Sequence, residues 1–197
     1  MYPNQYLTAY ENFLEHAAAS SIPGIQSVVE DVKAGRRRLV EKDIFSMVDG
    51  SGKSRLDFFE TDKLKGIGQR NIAQAQLPDG TIMLVDKVTL LAVVSEAASY
   101  TYDSLYSEDF GSIKTVGSLQ HGEAKFTVDK KTVFDEFSLQ HFVTDNQYNV
   151  PLGMLPLNAP HLINHSVELE FVVDLPAALA AKTGVKVILS GVGTAPN

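Results

Sequence analysis

His165-Ser166-Val167-Glu168-Leu169-Glu170-Phe171-Val172-Val173-Asp174-Leu175 carries the pattern that decides the fold. Val167, Leu169, Phe171, Val173 and Leu175 recur with a period of two. Ser166, Glu168, Glu170 and Asp174 fall between them. A strand with that alternation buries one face and wets the other, as in an antiparallel sheet. Pro176 ends it, because proline has no N–H to give to a ladder.

The same rhythm extends outward in both directions. Downstream, Val185, Val187 and Leu189 predict a final strand closed by Gly191 and Gly193. Upstream, Phe126-Thr127-Val128 and Thr132-Val133-Phe134 flank Asp129-Lys130-Lys131, the pattern of a hairpin. Ile82 to Val94 predicts a strand that bends at Asp86-Lys87. Ile44–Val48 and Leu56–Phe59 flank the turn cluster Asp49-Gly50-Ser51-Gly52, which predicts a solvated hairpin turn. Between them and Ile82 lies a long connection, Asp62 to Gly80, expected to be flexible. Short strands without alternating helices predict a mainly β fold, an antiparallel β-sandwich and within that class a jelly roll. The immunoglobulin arrangement fits less well, because the chain has neither Trp nor Cys.

The first 35 residues follow a different period. Tyr6, Tyr10, Phe13 and Ala17, with Leu14 beside them, predict a helix with Asn4 as its cap and Ser20-Ser21 beyond its end. Ile25, Val28, Val29 and Val32 predict a second helix, with Pro23 near its start and Gly35 closing it. The expected organisation is a helical N-terminal arm, residues 1–35, and a β-sandwich domain, residues 36–197.

Composition sets the functional limits. The chain has 197 residues, 44% of them hydrophobic and 21% charged, enough to build a core without staples. Cysteine is absent, which excludes disulfides, thiolate catalysis and cysteine-based zinc sites. Met1-Tyr2-Pro3-Asn4-Gln5 has no basic segment leading into an apolar run, so no secretory signal is expected. The apolar stretch Ile82–Val94 is interrupted by Asp86-Lys87 and is too short to span a bilayer as a helix. A net charge of −7 repels phosphate, so nucleic-acid binding is not expected in general. The local exception is Arg36-Arg37-Arg38, a charge run that reads first as a solvated linker and second as a contact for phosphate or an acidic neighbour.

Candidate chemistry is sparse. Gly50-Ser51-Gly52-Lys53-Ser54 resembles the end of a phosphate-binding loop, but Met47 stands where the first glycine is needed and a strand rather than a helix follows. Gly66-Ile67-Gly68-Gln69-Arg70-Asn71 lacks the last glycine of a dinucleotide fingerprint and no βαβ unit surrounds it, so a flexible loop is expected. His161 and His165 have a four-residue spacing that holds a metal on a helix, but Pro160 and the following strand argue against one. Asp135-Glu136 and Glu168/Glu170 read as solvated carboxylates, although the two members of a glycosidase pair can lie far apart in sequence. Asn164-His165-Ser166 fits the glycosylation sequon by chance. No catalytic residue, metal, nucleotide or other cofactor is expected, and the chain is expected not to be an enzyme.

Three stretches of the C-terminal third carry a resemblance. They are Val150-Pro151-Leu152-Gly153-Met154-Leu155-Pro156-Leu157, Ile163-Asn164-His165-Ser166-Val167-Glu168-Leu169-Glu170-Phe171, and Val185-Lys186-Val187-Ile188-Leu189-Ser190-Gly191-Val192-Gly193. With Lys53–Glu60 and Gln76–Thr81, they resemble the jelly-roll coat and capsid-associated proteins of bacterial viruses. The resemblance implies a non-enzymatic virion protein that assembles with copies of itself and with other virion proteins. A lectin-like carbohydrate-binding sandwich is the alternative, disfavoured by the lack of Trp. On the shell reading the loop Leu152–Leu162 is an exposed apolar contact; the two helices need a surface, their own sheet or a neighbouring subunit, and at least part of the arm is expected to pack on another subunit. Tyr6, Tyr10 and Phe13 are then buried there, with Arg36, Arg37 and Arg38 as the pivot. Deleting residues 1–35 is expected on that reading to leave a folded sandwich.

Overall fold

The computed structural model describes residues 3–20, 22, 24–143 and 152–196, and the side chains from residue 8 onward. Among the described residues two helices, α1 (Pro3–Ala19) and α2 (Ile25–Lys33), precede nine strands. These are β1 (Arg37–Asp49), β2 (Arg55–Asp57), β3 (Ile82–Val94), β4 (Gly111–Ser112), β5 (Glu123–Val128), β6 (Lys131–Ser138), β7 (Met154–Asn164), β8 (Leu169–Asp174) and β9 (Thr183–Pro196). One sheet runs β1-β9-β3, with both β7 and the short β4 on the far side of β3, and the other runs β2-β8-β5-β6. The mainly β, two-sheet antiparallel architecture read from the alternation is the one observed.

The pairing is nested. The expected β5–β6 hairpin turns on Asp129 and Lys130, whose φ angles of 51° and 61° suit a tight two-residue turn. Outside that hairpin β3 pairs with β7, then β2 with β8, then β1 with β9, all antiparallel. The chain is thus one long hairpin whose arms alternate between two sheets, and the β3–β9 and β5–β8 pairs close each sheet.

The strand that decided the reading has the expected register. Val167, Leu169, Phe171 and Val173 are buried, while Glu168 and Glu170 are exposed. Phe171 lies at the centre, with ring centroids 5.7 Å from Phe58, 5.9 Å from Phe126 and 6.0 Å from Phe134. Two details differ. The strand begins at Leu169, because Asn164 Oδ1 accepts from the Ser166 N–H at 3.1 Å and makes residues 165–168 a corner between the sheets. Val172 is buried on the outward face, between its cross-strand neighbours Lys125 and Asp57.

Other expectations are corrected. The turn at Asp49–Gly52 is not a hairpin: β1 and β2 belong to different sheets, and the turn carries the chain across. Leu152–Leu162 is not an exposed loop. Most of it is β7, and Leu155 and Leu157 pack half-buried against the main core. Its prolines are tolerated because β7 pairs only with β3 and leaves its other edge free of partner strands among the described residues. The connection from Asp62 to Gly80 folds compactly, burying Ile72, Ala75 and Leu77. There Asn71 straps the outer edge of β1, accepting from the Phe45 N–H at 2.8 Å and donating to Asp43 O at 2.7 Å.

The bend predicted at Asp86-Lys87 is a bulge, opposite which residues 157–160 of β7 bow outward. Gly191 and Gly193 do not end β9, which continues to Pro196. They let it pass the bulge: a Cβ at Gly191 would overlap the Leu84 carbonyl, and one at Gly193 would lie 2.8 Å from Lys42 Cδ.

Both predicted helices form. α2 buries Ile25, Val28, Val29 and Val32. Its end is closed by Gly35 at φ 70°, with Gly35 N–H bonded to Val32 O at 3.2 Å and Arg36 N–H to Asp31 O at 2.8 Å. The Asn4 side chain, Ser21 and Pro23 lie outside the described residues. The helices cover the outer face of the β1-β9-β3-β7 sheet, where Phe13, Ala17 and the α2 residues enclose Leu39, Ile82 and Leu84, with Tyr10, Leu14, Leu162 and Val192 at the margin. Phe13 is 0% exposed within its own chain, so the expectation that it anchors another subunit gives way. The outer sheet face is apolar and is joined to the arm by only a tight turn, so the helices reach it within their own chain. The Tyr6 side chain lies outside the described residues.

Candidate interaction surface

The turn Asp49–Lys53 sits at one end of the sandwich, where several loops are tied together. Gly52 N–H donates to Leu179 O at 3.1 Å, Lys182 Nζ to Ala97 O at 2.7 Å and Tyr100 Oη to Asp49 Oδ1 at 2.8 Å. The backbone donors of the Gly-Ser-Gly-Lys turn are consumed by the chain itself. Gly50 N–H bonds Thr183 O, Ser51 N–H bonds Asp49 Oδ1, and Lys53 N–H bonds Gly50 O. A phosphate cradle needs those donors turned outward, so this turn does not form one.

The Gly66–Asn71 segment projects from the same end. Gly66 and Arg70 exchange backbone hydrogen bonds of 3.2 and 2.9 Å, which closes a tight loop with Ile67 at its apex. No helix follows it, so the dinucleotide geometry is absent here. The loop leans on the 3-10 turn Tyr102–Ser107. Gln69 Nε2 donates to Asp103 Oδ1 at 2.8 Å, and Gly68, at φ 80°, sits so close to Tyr106 that a Cβ there would lie 2.7 Å from Tyr106 Cβ. Behind it Arg70 is buried, 3.4 Å from the Tyr102 hydroxyl and 3.8 Å from Glu60.

This end exposes apolar side chains. Ile67 is 96% exposed, Leu64 74% and Tyr106 65%. Lys63 and Lys65 alternate with them in sequence. Beside the loop lies a recess of about 320 Å³ lined by Asp49, Lys53, Glu60, Lys63, Leu64, Gln69, Arg70 and Tyr102, among others. In sequence the segment resembles an incomplete fingerprint in a flexible loop. The signal it held was an isoleucine between two glycines in a lysine-bearing loop, with no apolar periodicity to carry it inward.

Tyr100 and Asp49 lock the base of these loops. Burial first, then the Asp49 carboxylate, push the Tyr100 phenol up to about 12, against the effect of a Ser51 hydrogen bond. Burial works to raise Asp49, but hydrogen bonds from Ser51 and Tyr100, with Lys53 nearby, outweigh it and hold the carboxyl below its usual value. A phenol whose folded value lies above its unfolded value of about 10 stabilises the fold fully below pH ~10 and loses that contribution as pH rises towards 12. Tyrosinate absorbance should therefore show one late-titrating phenol that Tyr100→Phe removes. If the substitution removes only ordinary titration near pH ~10, the Tyr100 phenol is not buried against Asp49 in solution.

The remaining sequence candidates are dispersed. Arg36 Nε donates to Asp31 Oδ1 at 2.7 Å, Arg37 Nε lies 3.4 Å from Oδ2 and its guanidinium also reaches Gly80 O, while Arg38 is exposed. Two of the three pivot arginines thus close the chain's own α2–β1 joint, and Asp31 is held below the ordinary carboxylate value chiefly by the Arg36 hydrogen bond. His161 lies in β7 and His165 in the corner after it. Burial, then the nearby His16, lowers His161. Among the described residues no group of three or more histidines and carboxylates is placed to hold a metal ion. Glu168 and Glu170 line a concavity of about 680 Å³ with Asp57, Glu60, Asp62 and Asp129. The sequon Asn164 is 2% exposed, with its side chain engaged in the corner, and is closed to modification in the folded chain. No helix among the described residues is long and apolar enough to cross a membrane.

No family model matches the sequence, and no curated protein or solved structure matches it either.

Proposed function

We propose that the chain is a non-enzymatic structural protein of a virion, a coat or capsid-associated subunit that assembles with copies of itself and with other virion proteins. The observation that carries this reading is the strand order. With the two-residue β4 set aside, the sheets read β1-β9-β3-β7 and β2-β8-β5-β6, four nested antiparallel pairs rolled into two sheets. We infer that this is a jelly roll, the architecture of many viral shell subunits and also of lectins and cupins.

The edges support assembly without runaway strand pairing. β2 is three residues long, and β6 carries exposed Asp135 and Glu136, the latter at φ 48°. Short, charged or kinked edges resist strand addition. Loops and sheet faces are thus the surfaces that meet neighbours on this reading. The exposed apolar residues that would serve a contact are Leu64, Ile67, Val94 and Tyr106, rather than the Leu152–Leu162 segment.

The lectin alternative has one observation in its favour, the carboxylate-lined concavity beside β8, where hydroxyls could be bound. Its aromatic lining residues Phe58, Phe59 and Phe171 are buried, which leaves no stacking platform for a sugar ring. Electron microscopy of the concentrated protein, run beside a glycan screen, separates the readings. Rings, sheets or shells without glycan binding support the shell role. Glycan binding by a dispersed monomer overturns it.

A further inference from the structure

We propose that the Ile67 loop end of one copy seats in the groove between β6 and β7 of the next copy, so that copies join head to tail. The inference rests on the self-assembly proposed above and names the two surfaces that carry it.

The groove lies where two sheet borders meet. β6 and β7 each have one partner strand among the described residues, and between them the sandwich is open. The opening is a groove of about 540 Å³, walled by Val133, Phe134 and Phe137 from β6 and by Leu155, Leu157 and Ala159 from β7. All but Ala159 are half-buried, packed on the main core from one side. Its lining includes two histidines but no lysine, arginine or carboxylate. A strand does not fit such a gap. Pro156 and Pro160 have no N–H to give, and Glu136 at φ 48° kinks the facing edge. Apolar side chains do fit it, and interfaces centre on anchors seated in pockets of this kind.

The chain carries a matching protrusion. Ile67 stands almost fully exposed at the apex of its tight loop, with exposed Leu64 before it and Tyr106 against Gly68. Charges beside it are offset: Asp62 lies 3.8 Å from Lys63 Nζ, and Glu60 lies 3.8 Å from Arg70. An uncharged groove therefore suits this tip better than a charged surface does.

Knob and groove occupy opposite borders of the sandwich. Met47 N–H donates to Gln69 O at 2.8 Å and Asn71 N–H to Phe45 O at 3.3 Å, which fixes the loop along β1. β9 and β3 lie between β1 and β7. The knob cannot enter its own groove, but it can enter a neighbour's. A contact between two different patches repeats from copy to copy, and it closes a ring where the rotation allows. Three side chains offer less than the roughly 800 Å² per partner of a stable pair. Each contact is therefore weak alone, and closure strengthens it through effective concentration.

Sedimentation velocity of the full chain tests the pairing, with Ile67→Asp on the knob and Ala159→Glu in the groove. Both positions are exposed, and circular dichroism checks that each variant folds. Each variant alone should need about a ten-fold higher concentration than the wild type to associate, the effect of losing one buried aliphatic side chain. Mixed, the two should form dimers and stop there, because the groove of the Ile67→Asp copy still receives Ile67 of the Ala159→Glu copy. If the wild type associates and either variant does so as readily, this contact is wrong while the self-assembly reading stands. A mixture that fails to dimerise also overturns it, since knob and groove would then meet other surfaces. A wild type that stays monomeric overturns both. The chain has no cysteine, so Ile67→Cys mixed with Ala159→Cys gives a second readout. Oxidation should link the two variants to each other faster than either to itself, and equal rates would contradict the pairing.

Discussion

A chain lacking residues 1–35 should be insoluble, or should melt about 10 °C or more below the intact protein. The deletion removes Phe13, Ala17, Ile25, Val28, Val29 and Val32, all buried, from the outer face of the larger sheet. It leaves Leu39, Ile82 and Leu84 facing water, each having gained about 1.5–3 kcal/mol from its cover. Against a total stability of about 5–15 kcal/mol that loss is large, even after the released arm recovers conformational entropy. The sequence alone suggested that a truncated sandwich would stay folded. In the structure the arm completes a second hydrophobic cluster with its own sheet, and from that packing the truncated chain is expected to lose stability. Differential scanning calorimetry of the truncated and intact chains decides the matter. An unchanged midpoint would mean that the arm detaches freely and is available to a neighbour.

The second large effect is expected at Phe171. Phe171→Ala removes a ring that is 0% exposed and meets Phe58 nearly edge-on, with an interplanar angle of 86°. Aromatic truncation in a packed core costs about 3–5 kcal/mol, the spread reflecting how far the site collapses. Phe58, Phe126 and Phe134 come from different strands and loops, so the surrounding backbone holds them apart and the cavity should persist. Urea denaturation should show a lower midpoint with an unchanged slope. A loss below about 1 kcal/mol would mean that the aromatic cluster on the inner face of the smaller sheet repacks around the missing ring.

The parts of the fold that were legible share a cause. Glu168, Glu170 and their apolar neighbours were readable because β8 has one wet face, and α2 because its four apolar residues make a single stripe. The bend at Asp86-Lys87 was visible because two charges interrupt a buried run. β7 was not legible: it sits at a sheet edge, where prolines are tolerated and where half-burial blurs the alternation, so Pro156 and Pro160 suggested a loop. The crossing at Asp49–Gly52 was hidden for another reason. Turn chemistry reports that the chain reverses, not which sheet it enters next. Gly191 and Gly193 looked like a strand end, yet they are glycines because Leu84 and Lys42 approach the β9 backbone there.

The interaction surface was less legible than the fold. Arg36-Arg37-Arg38 stood out as a charge run, but Asp31 lies across the helix end and takes up two of the three. Tyr10 and Phe13 stood out as aromatic anchors, and it is the chain's own sheet that holds Phe13. Ile67 carried no periodic signal, because its exposure follows from the tight Gly66–Arg70 closure and from the packing of Gly68 on Tyr106. Those are contacts between segments far apart in sequence.

Sedimentation-velocity ultracentrifugation of the full chain, over a concentration series up to the millimolar range, tests the shell reading most directly. The expected result is a mass that climbs with concentration from the 21.5 kDa monomer to discrete oligomers or closed particles. A single species of monomer mass across the whole series, with the chain fully folded, would contradict it.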